Sequence, residues 1–137
     1  MARVLVTGGL GLIGSAVISQ ILSTSNHAVV VLDDCSSPSS ASPVLKVENT
    51  RLEIIKQRVE DASLLDICRD VDIVIHLAAR VGVCRTIKSS PGLIFSTIDM
   101  TRIVADAVAH FRIPLIYASS SEVYGVAPPV PVCEDYP

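Results

Sequence analysis

Between Val4 and Val17 the chain reads VLVTGGLGLIGSAV: an aliphatic run, a cluster of glycines, then the start of an apolar helical face. Glycines at this spacing carry information only after a strand and at the opening of a helix, and both conditions are met. In the pattern Thr-Gly-x-x-Gly-x-x-Gly, Gly8 turns the chain out of the strand, Gly11 lets the backbone approach a pyrophosphate, and Gly14 lets the helix pack closely on the sheet. The amides of Leu12 and Ile13, at the positive end of that helix, are the candidate phosphate donors. No Lys-Ser/Thr pair follows the glycines, so a nucleotide-triphosphatase loop is not indicated. A glycine-rich turn that binds nothing is the competing interpretation.

Downstream, short apolar runs keep alternating with segments of helical period. Strands are expected at residues 2–7, 27–33, 51–56, 71–79 and 113–120. After the glycines, Ile13, Val17, Ile18, Ile21 and Leu22 form one helix face. A second helix over 61–70 opens at Asp61, and a long one begins near Pro91 and runs to Phe111. Residues 35–44, CSSPSSASPV, lack periodicity and are expected to be a loop. The fold class is therefore α/β, a doubly wound parallel sheet with helices on both faces. Right-handed crossovers order its strands 3-2-1-4-5, with the fifth at an edge. That edge predicts low stability or self-association, a homodimer being one form.

Composition agrees. Hydrophobic residues make up 50% of the chain and aromatics only 4%, with no Trp, so the core is Val, Ile, Leu and Ala, as in strands buried on both faces. A net charge of -3 gives no basic field for nucleic acid or an anionic membrane. Residues Val4 to Leu32 carry no formal charge and follow Arg3, which mimics a membrane span. Four glycines and a cluster of Ser, Thr, Gln and Asn would leave polar groups in lipid, so no membrane is expected and a cytoplasmic location is favoured. Cys35, Cys68, Cys84 and Cys133 form no CxxC pair and are expected to be buried small hydrophobes. His27, His76 and His110 lack ligand spacing, so no metal site is expected.

Asp33 ends the second strand nineteen residues after Gly14, close to the spacing of about 20 at which an acid binds the adenosine ribose. A 2′-phosphate would face Asp33 and Asp34 with no Arg beside them in the sequence, which favours NAD over NADP. Capping a turn that begins Asp-Asp is the alternative role for Asp33. Asp34 is expected to be a solvated turn residue.

With TGGLGLIG, VVVLDD, DIVIHLAA and ASSSEVYG in this order, the chain resembles the extended short-chain dehydrogenase/reductase family of NAD-dependent nucleotide-sugar epimerases and dehydratases. The resemblance runs from Ala2 to Pro137 and implies a Rossmann domain that binds NAD. It places Gly8, Gly11 and Gly14 in the pyrophosphate loop, Asp33 at the ribose, and Leu77, Ala78 and Ala79 under the cofactor. Ser120, three residues before the Val of VYG, matches the catalytic Ser/Thr; its hydroxyl both donates and accepts toward the sugar oxygen. Glu122 is either an acid near the substrate or a solvated strand-end carboxylate. Tyr124 matches a structural tyrosine.

Members with STDEVYG carry a dehydration acid where Ser121 stands, whereas decarboxylases and many 4-epimerases have Ser-rich versions. A 4-epimerase-like reaction, oxidising a nucleotide sugar at C4, is therefore the expectation. A UDP-glucuronate decarboxylase, a 4,6-dehydratase and a non-catalytic NAD-binding or sensing module are the alternatives. Two positions depart from the family: Arg58 replaces an Asp near the adenine, and Thr97 replaces an Asn in the long helix. The family's Tyr-x-x-x-Lys pair follows an acidic, proline-containing segment like CEDYP, which closes this chain. Tyr136 has no Lys after it. Residues 1–137 are thus expected to be an incomplete NAD-binding domain, truncated ahead of a substrate domain and inactive alone.

Overall fold

The computed structural model describes residues 1–36, 49–80, 92–125 and 131–134, without the side chains of residues 93 and 94. Most of the loop at 35–44, Pro91, Cys84 and most of the tail after Gly125 lie outside these residues. Five strands form one parallel sheet: β1 (Arg3–Thr7), β2 (Ala28–Asp33), β3 (Leu52–Lys56), β4 (Ile73–His76) and β5 (Leu115–Tyr117). Their order is β3-β2-β1-β4-β5, as expected. Val4 pairs with Val29 of β2 and Ile73 of β4, which sets the register at the centre of the sheet.

Aliphatic side chains on both faces of the strands explain the layering. Val4, Val6, Val29 and Val31 point to one side, where they meet Ile18, Ile21 and Leu22 of α1 (Leu12–Thr24). Leu5, Val30, Leu32 and Val74 point to the other. There they pack on Leu64 and Cys68 of α2 (Leu64–Cys68), and on Met100, Val104, Ala107 and Val108 of α3 (Gly92–Phe111). Side chains buried to this degree contribute about 1.5–3 kcal/mol each. A period-2 alternation with both phases apolar is what a sheet covered on both faces requires.

Several boundaries differ from the sequence expectation. The helix expected over 61–70 spans only Leu64–Cys68 and is preceded by Ser63, not Asp61. Asp61 is held back in a turn, because the amides of Asp61 and Ala62 both donate to Arg58 O, at 3.2 and 3.1 Å. Strand β4 stops at His76, so Leu77 to Ala79 lie beyond the sheet. Ile13 does not join the core face of α1; it is 66% exposed, because Gly14 and Ile18 are the buried residues of the helix and Ile13 lies about 100° away from Gly14 around it. Among the described cysteines only Cys68 is buried; Cys35 is half-buried and Cys133 exposed.

Arg112 follows the last turn of α3 with φ +56°, the left-handed conformation of a helix C-cap. The amide of Ile113 donates to Val108 O at 2.9 Å and that of Arg112 to Ala109 O at 3.3 Å. This closes the helix and delivers the chain into β5. Beyond β5 a 3₁₀ turn spans Ser121–Tyr124. Strand β5 pairs with β4 alone among the described residues, and Ile116 and Tyr117 are about half exposed.

Candidate functional site

In a sheet of this order the crevice opens where neighbouring connections leave in opposite directions, at the carboxyl ends of β1 and β4. A cleft of about 380 Å³ lies there, lined by the segments that follow all five strands. Its floor is built by close approach of backbones. Gly8 has φ +68°, and a Cβ on it would sit 2.7 Å from Ala78 N. A Cβ on Gly14 would meet Gly8 O at 2.5 Å and Gly9 Cα at 2.6 Å, so Gly14 lets the helix pack on its own loop rather than on the sheet itself. Gly11 is different: its missing Cβ would find only Gly8 O, at 3.3 Å.

The first turn of α1 opens onto this space. Its internal bonding starts with Ser15 N donating to Gly11 O at 3.0 Å, so the preceding amides of Leu12, Ile13 and Gly14 have no partner within the helix. Leu12 is 80% exposed, and both Leu12 and Ile13 line the cleft. Asp33, at the end of β2, also lines it. Its Oδ2 accepts from Leu10 N at 2.9 Å and its Oδ1 from Cys35 N at 2.8 Å. The carboxylate therefore caps the glycine loop and the following turn, and still has lone pairs for ribose hydroxyls, since a carboxylate offers about four acceptor sites. Leu77, Ala78 and Ala79 line the cleft as well. All nine sequence-derived cofactor positions are thus brought to one place.

Ser120 and Glu122 are not among the cleft's lining residues; Ala118 is the lining residue that follows β5. Ser120 Oγ accepts from Glu122 N at 3.3 Å and begins the 3₁₀ turn. Both residues are exposed.

Beneath the floor runs a buried chain of polar bonds that no local sequence signal announces. Thr101 Oγ1 donates its proton to Thr97 O at 3.0 Å, so toward His76 Nε2, 3.4 Å away, it can only accept. A neutral ring then carries its proton on Nε2, and Nδ1 accepts from the Thr7 hydroxyl at 2.6 Å, while Thr7 Oγ1 accepts from Ala78 N at 3.3 Å. Tyr117 stacks on the imidazole with ring centroids 5.9 Å apart. Burial pushes the His76 pKa down, in keeping with a neutral, structural histidine.

At the outer end of the cleft the sequence expectation needs correction, because two guanidiniums do stand near Asp34. Arg58 and Arg80 line the same cleft as Asp33 and Asp34. Burial would raise the Asp34 pKa, but hydrogen bonds from Ser36 and the fields of Arg80 and Arg58 outweigh it and hold the carboxyl below its usual range. Glu60 joins the two cations: its Oε1 accepts from Arg58 Nη2 at 3.2 Å, Arg80 Nη2 at 3.2 Å and Ser96 Oγ at 3.1 Å. Burial would raise Glu60 too; its own backbone amide, Ser96 and the two guanidiniums prevail and lower it. Thr97 Oγ1 accepts from Arg80 N at 3.3 Å. Among the described residues there is no cluster of His, Cys, Asp and Glu able to hold a metal, and no helix long and apolar enough to cross a membrane.

Residues 4–137 match the NAD dependent epimerase/dehydratase family. The chain belongs to this family. Among its relatives, a UDP-glucose 4-epimerase of Mycolicibacterium smegmatis is 33% identical over 98% of this chain and 44% of that enzyme. A UDP-N-acetyl-alpha-D-glucosaminuronate decarboxylase of Bacillus cytotoxicus is 34% identical over 97% of this chain and 40% of that protein. The fold is shared with the UDP-glucuronic acid 4-epimerase from Bacillus cereus in complex with UDP-glucuronic acid and NAD. The TM-score is 0.84 at 30% identity, covering 97% of this chain and 44% of that one. The chain therefore spans less than half the length of these family members.

Proposed function

We propose that the cleft binds NAD and that the chain forms the NAD-binding part of a nucleotide-sugar enzyme of the 4-epimerase kind, with a C-terminal substrate domain lying outside residues 1–137. The observation that carries this reading is the meeting, in one cleft, of the first-turn amides of α1 with the Asp33 carboxylate. Amides at a helix N-terminus suit a pyrophosphate, and the spare lone pairs of Asp33 suit a ribose diol. Bound NAD supplies the hydride acceptor for oxidation at the sugar C4. The chain's own contribution is to hold the dinucleotide over Gly8–Gly14 and Leu77–Ala79 and to place the Ser120 hydroxyl beside the sugar oxygen, with Glu122 near the substrate. Family membership and the NAD-bound relative support the assignment.

A second reading, an NAD-binding module without catalysis, is favoured by one observation: Ser120 and Glu122 stand outside the cleft lining, and the Ser120 hydroxyl accepts a turn amide. Calorimetric titration with NAD and NADP tests what both readings share. NAD is expected to bind more tightly. Asp33→Ala is expected to weaken NAD about tenfold, the loss of one or two charge-assisted hydrogen bonds, and to weaken NADP less. Equal losses for both cofactors would remove Asp33 as the selector. Turnover in a mixture of chain, NAD and UDP-sugar would exclude the module without catalysis; no turnover while NAD binds would leave the binding part, which both readings share, standing.

A further inference from the structure

The outer end of the cleft carries a chemical bias that the NAD-binding reading leaves unused. Arg58 and Val59 follow β3, which lies outside β2 in the sheet, Arg80 follows β4, and all three line the same cleft as Asp33. A ribose held by Asp33, with its phosphates over Gly11–Gly14, directs its base toward this end. The two guanidiniums are not loose surface groups. Glu60 Oε1 holds an Nη2 of each at 3.2 Å, and the same oxygen is fixed to α3 through Ser96 at 3.1 Å. Arg58 Nε also lies 4.0 Å from Asp61 Oδ2. An arginine presents five N–H donors and no acceptor, so each retains donors after bonding to Glu60. Two of the cleft's carboxylates are engaged, Glu60 by its three donors and Asp34 Oδ1 by Ser36 N at 2.9 Å. The Gln57 amide nitrogen is committed to Asp61 O at 2.8 Å.

Purines differ in how they meet such donors. A 6-oxopurine offers O6 and N7 as adjacent acceptors, the edge that arginine grips with two parallel bonds. Adenine offers N7 beside an amino group, whose own N–H would face a cation. We propose, building on the NAD-binding reading, that Arg58, fixed by Glu60 beside Arg80, reads purine ring acceptors. The base end then accepts a dinucleotide carrying hypoxanthine at least as well as one carrying adenine.

The experiment is a paired calorimetric titration of the chain with NAD and with nicotinamide hypoxanthine dinucleotide, on wild type and Arg58→Asp. The Arg58 side chain is 46% exposed, so the variant is expected to fold, which circular dichroism checks. Wild type is expected to bind the hypoxanthine dinucleotide as tightly as NAD or more so. Arg58→Asp, which turns a donor into an acceptor, is expected to move the preference about tenfold toward NAD. Wild type that binds NAD measurably tighter than the hypoxanthine form overturns the proposal and leaves NAD binding intact. A preference unchanged in Arg58→Asp removes Arg58 as the reader. A folded chain that binds neither dinucleotide ends the NAD-binding reading, and this proposal with it.

Discussion

Gly11 and Gly14 stand three residues apart in one fingerprint, yet the structure assigns them opposite sensitivities. An alanine at Gly14 would place its Cβ 2.5 Å from Gly8 O, 2.6 Å from Gly9 Cα and 2.9 Å from Gly9 C. All three are backbone atoms, so no rotamer change relieves them and the loop itself must move. Overpacking of this sort costs about 1–3 kcal/mol, with backbone clashes toward the upper end; the better helix propensity of alanine returns about 0.8–1.0. The net loss is about 1–2 kcal/mol. With about 2.1 cal/mol/K of unfolding entropy per residue, that lowers the midpoint of a chain of 137 residues by about 3–7 °C. At Gly11 the one close neighbour among the described residues is Gly8 O at 3.3 Å, and φ is an ordinary -70°. Alanine is a poorer N-cap by about 0.5–1 kcal/mol, which the lost freedom of the unfolded chain offsets by about 0.4–1. Gly11→Ala should therefore melt within about 2 °C of wild type, while its methyl, on the cleft side, weakens NAD by about tenfold or more. Thermal unfolding by circular dichroism and calorimetric titration read the two effects separately. If Gly11→Ala melts as low as Gly14→Ala, or binds NAD normally, the division of the loop into a packing glycine and a ligand-facing glycine is wrong.

Stability should also depend on pH through His76. Its folded pKa lies below the unfolded value of about 6.5, so the unfolded chain takes up the proton first; this contribution is complete above that pH and is lost as pH falls toward the folded pKa. Urea unfolding should show lower stability at pH 5.5 than at pH 7.5. His76→Gln, whose amide can accept from Thr7 and donate to Thr101, should flatten the dependence; an equally steep profile would remove His76 as its source. Arg112→Gly should stabilise the chain by about 1 kcal/mol, since φ +56° is strained for a side-chain-bearing residue, and raise the midpoint by about 3–4 °C. A lower midpoint would mean that the arginine side chain contributes more than the strain costs.

What was legible in the sequence was whatever depends on near neighbours. Apolar runs such as Val29–Leu32, bounded by turn signals, give strands; right-handed crossovers in a doubly wound sheet then suit the order 3-2-1-4-5. Gly8, Gly11 to Gly14 and Asp33, expected from glycine spacing and a strand end, and Leu77 to Ala79, expected from the family resemblance, all line one cleft. The misses share a cause. Asp61 was expected to open α2, but two amides bonded to Arg58 O keep it in a turn. Ile13 fits the helical period and still faces outward, because the close approach of Gly14 sets the rotation of α1. Glu60 had no signal at all, since its partners Arg80 and Ser96 lie 20 and 36 residues away. The absence of Arg beside Asp33 and Asp34 held along the chain and failed in space. For Ser120 and Glu122 a role is implied by the family resemblance alone, while the described geometry shows Ser120 capping a turn.

Thr7, His76 and Thr101 come from three different elements, and one line of directed hydrogen bonds joins them under the cleft. Exchanging Thr7 for the isosteric Val would strand the buried His76 Nδ1 lone pair, at about 1–3 kcal/mol, and would remove the acceptor of the amide of the cleft-lining Ala78. Losing the imidazole alone would strand the hydroxyl proton of Thr7. Each substitution thus alters the worth of the others, so the three residues behave as a single inherited character. A homologue or a redesigned chain can replace the set with a fully apolar one, but passing there one mutation at a time crosses intermediates less stable than either end.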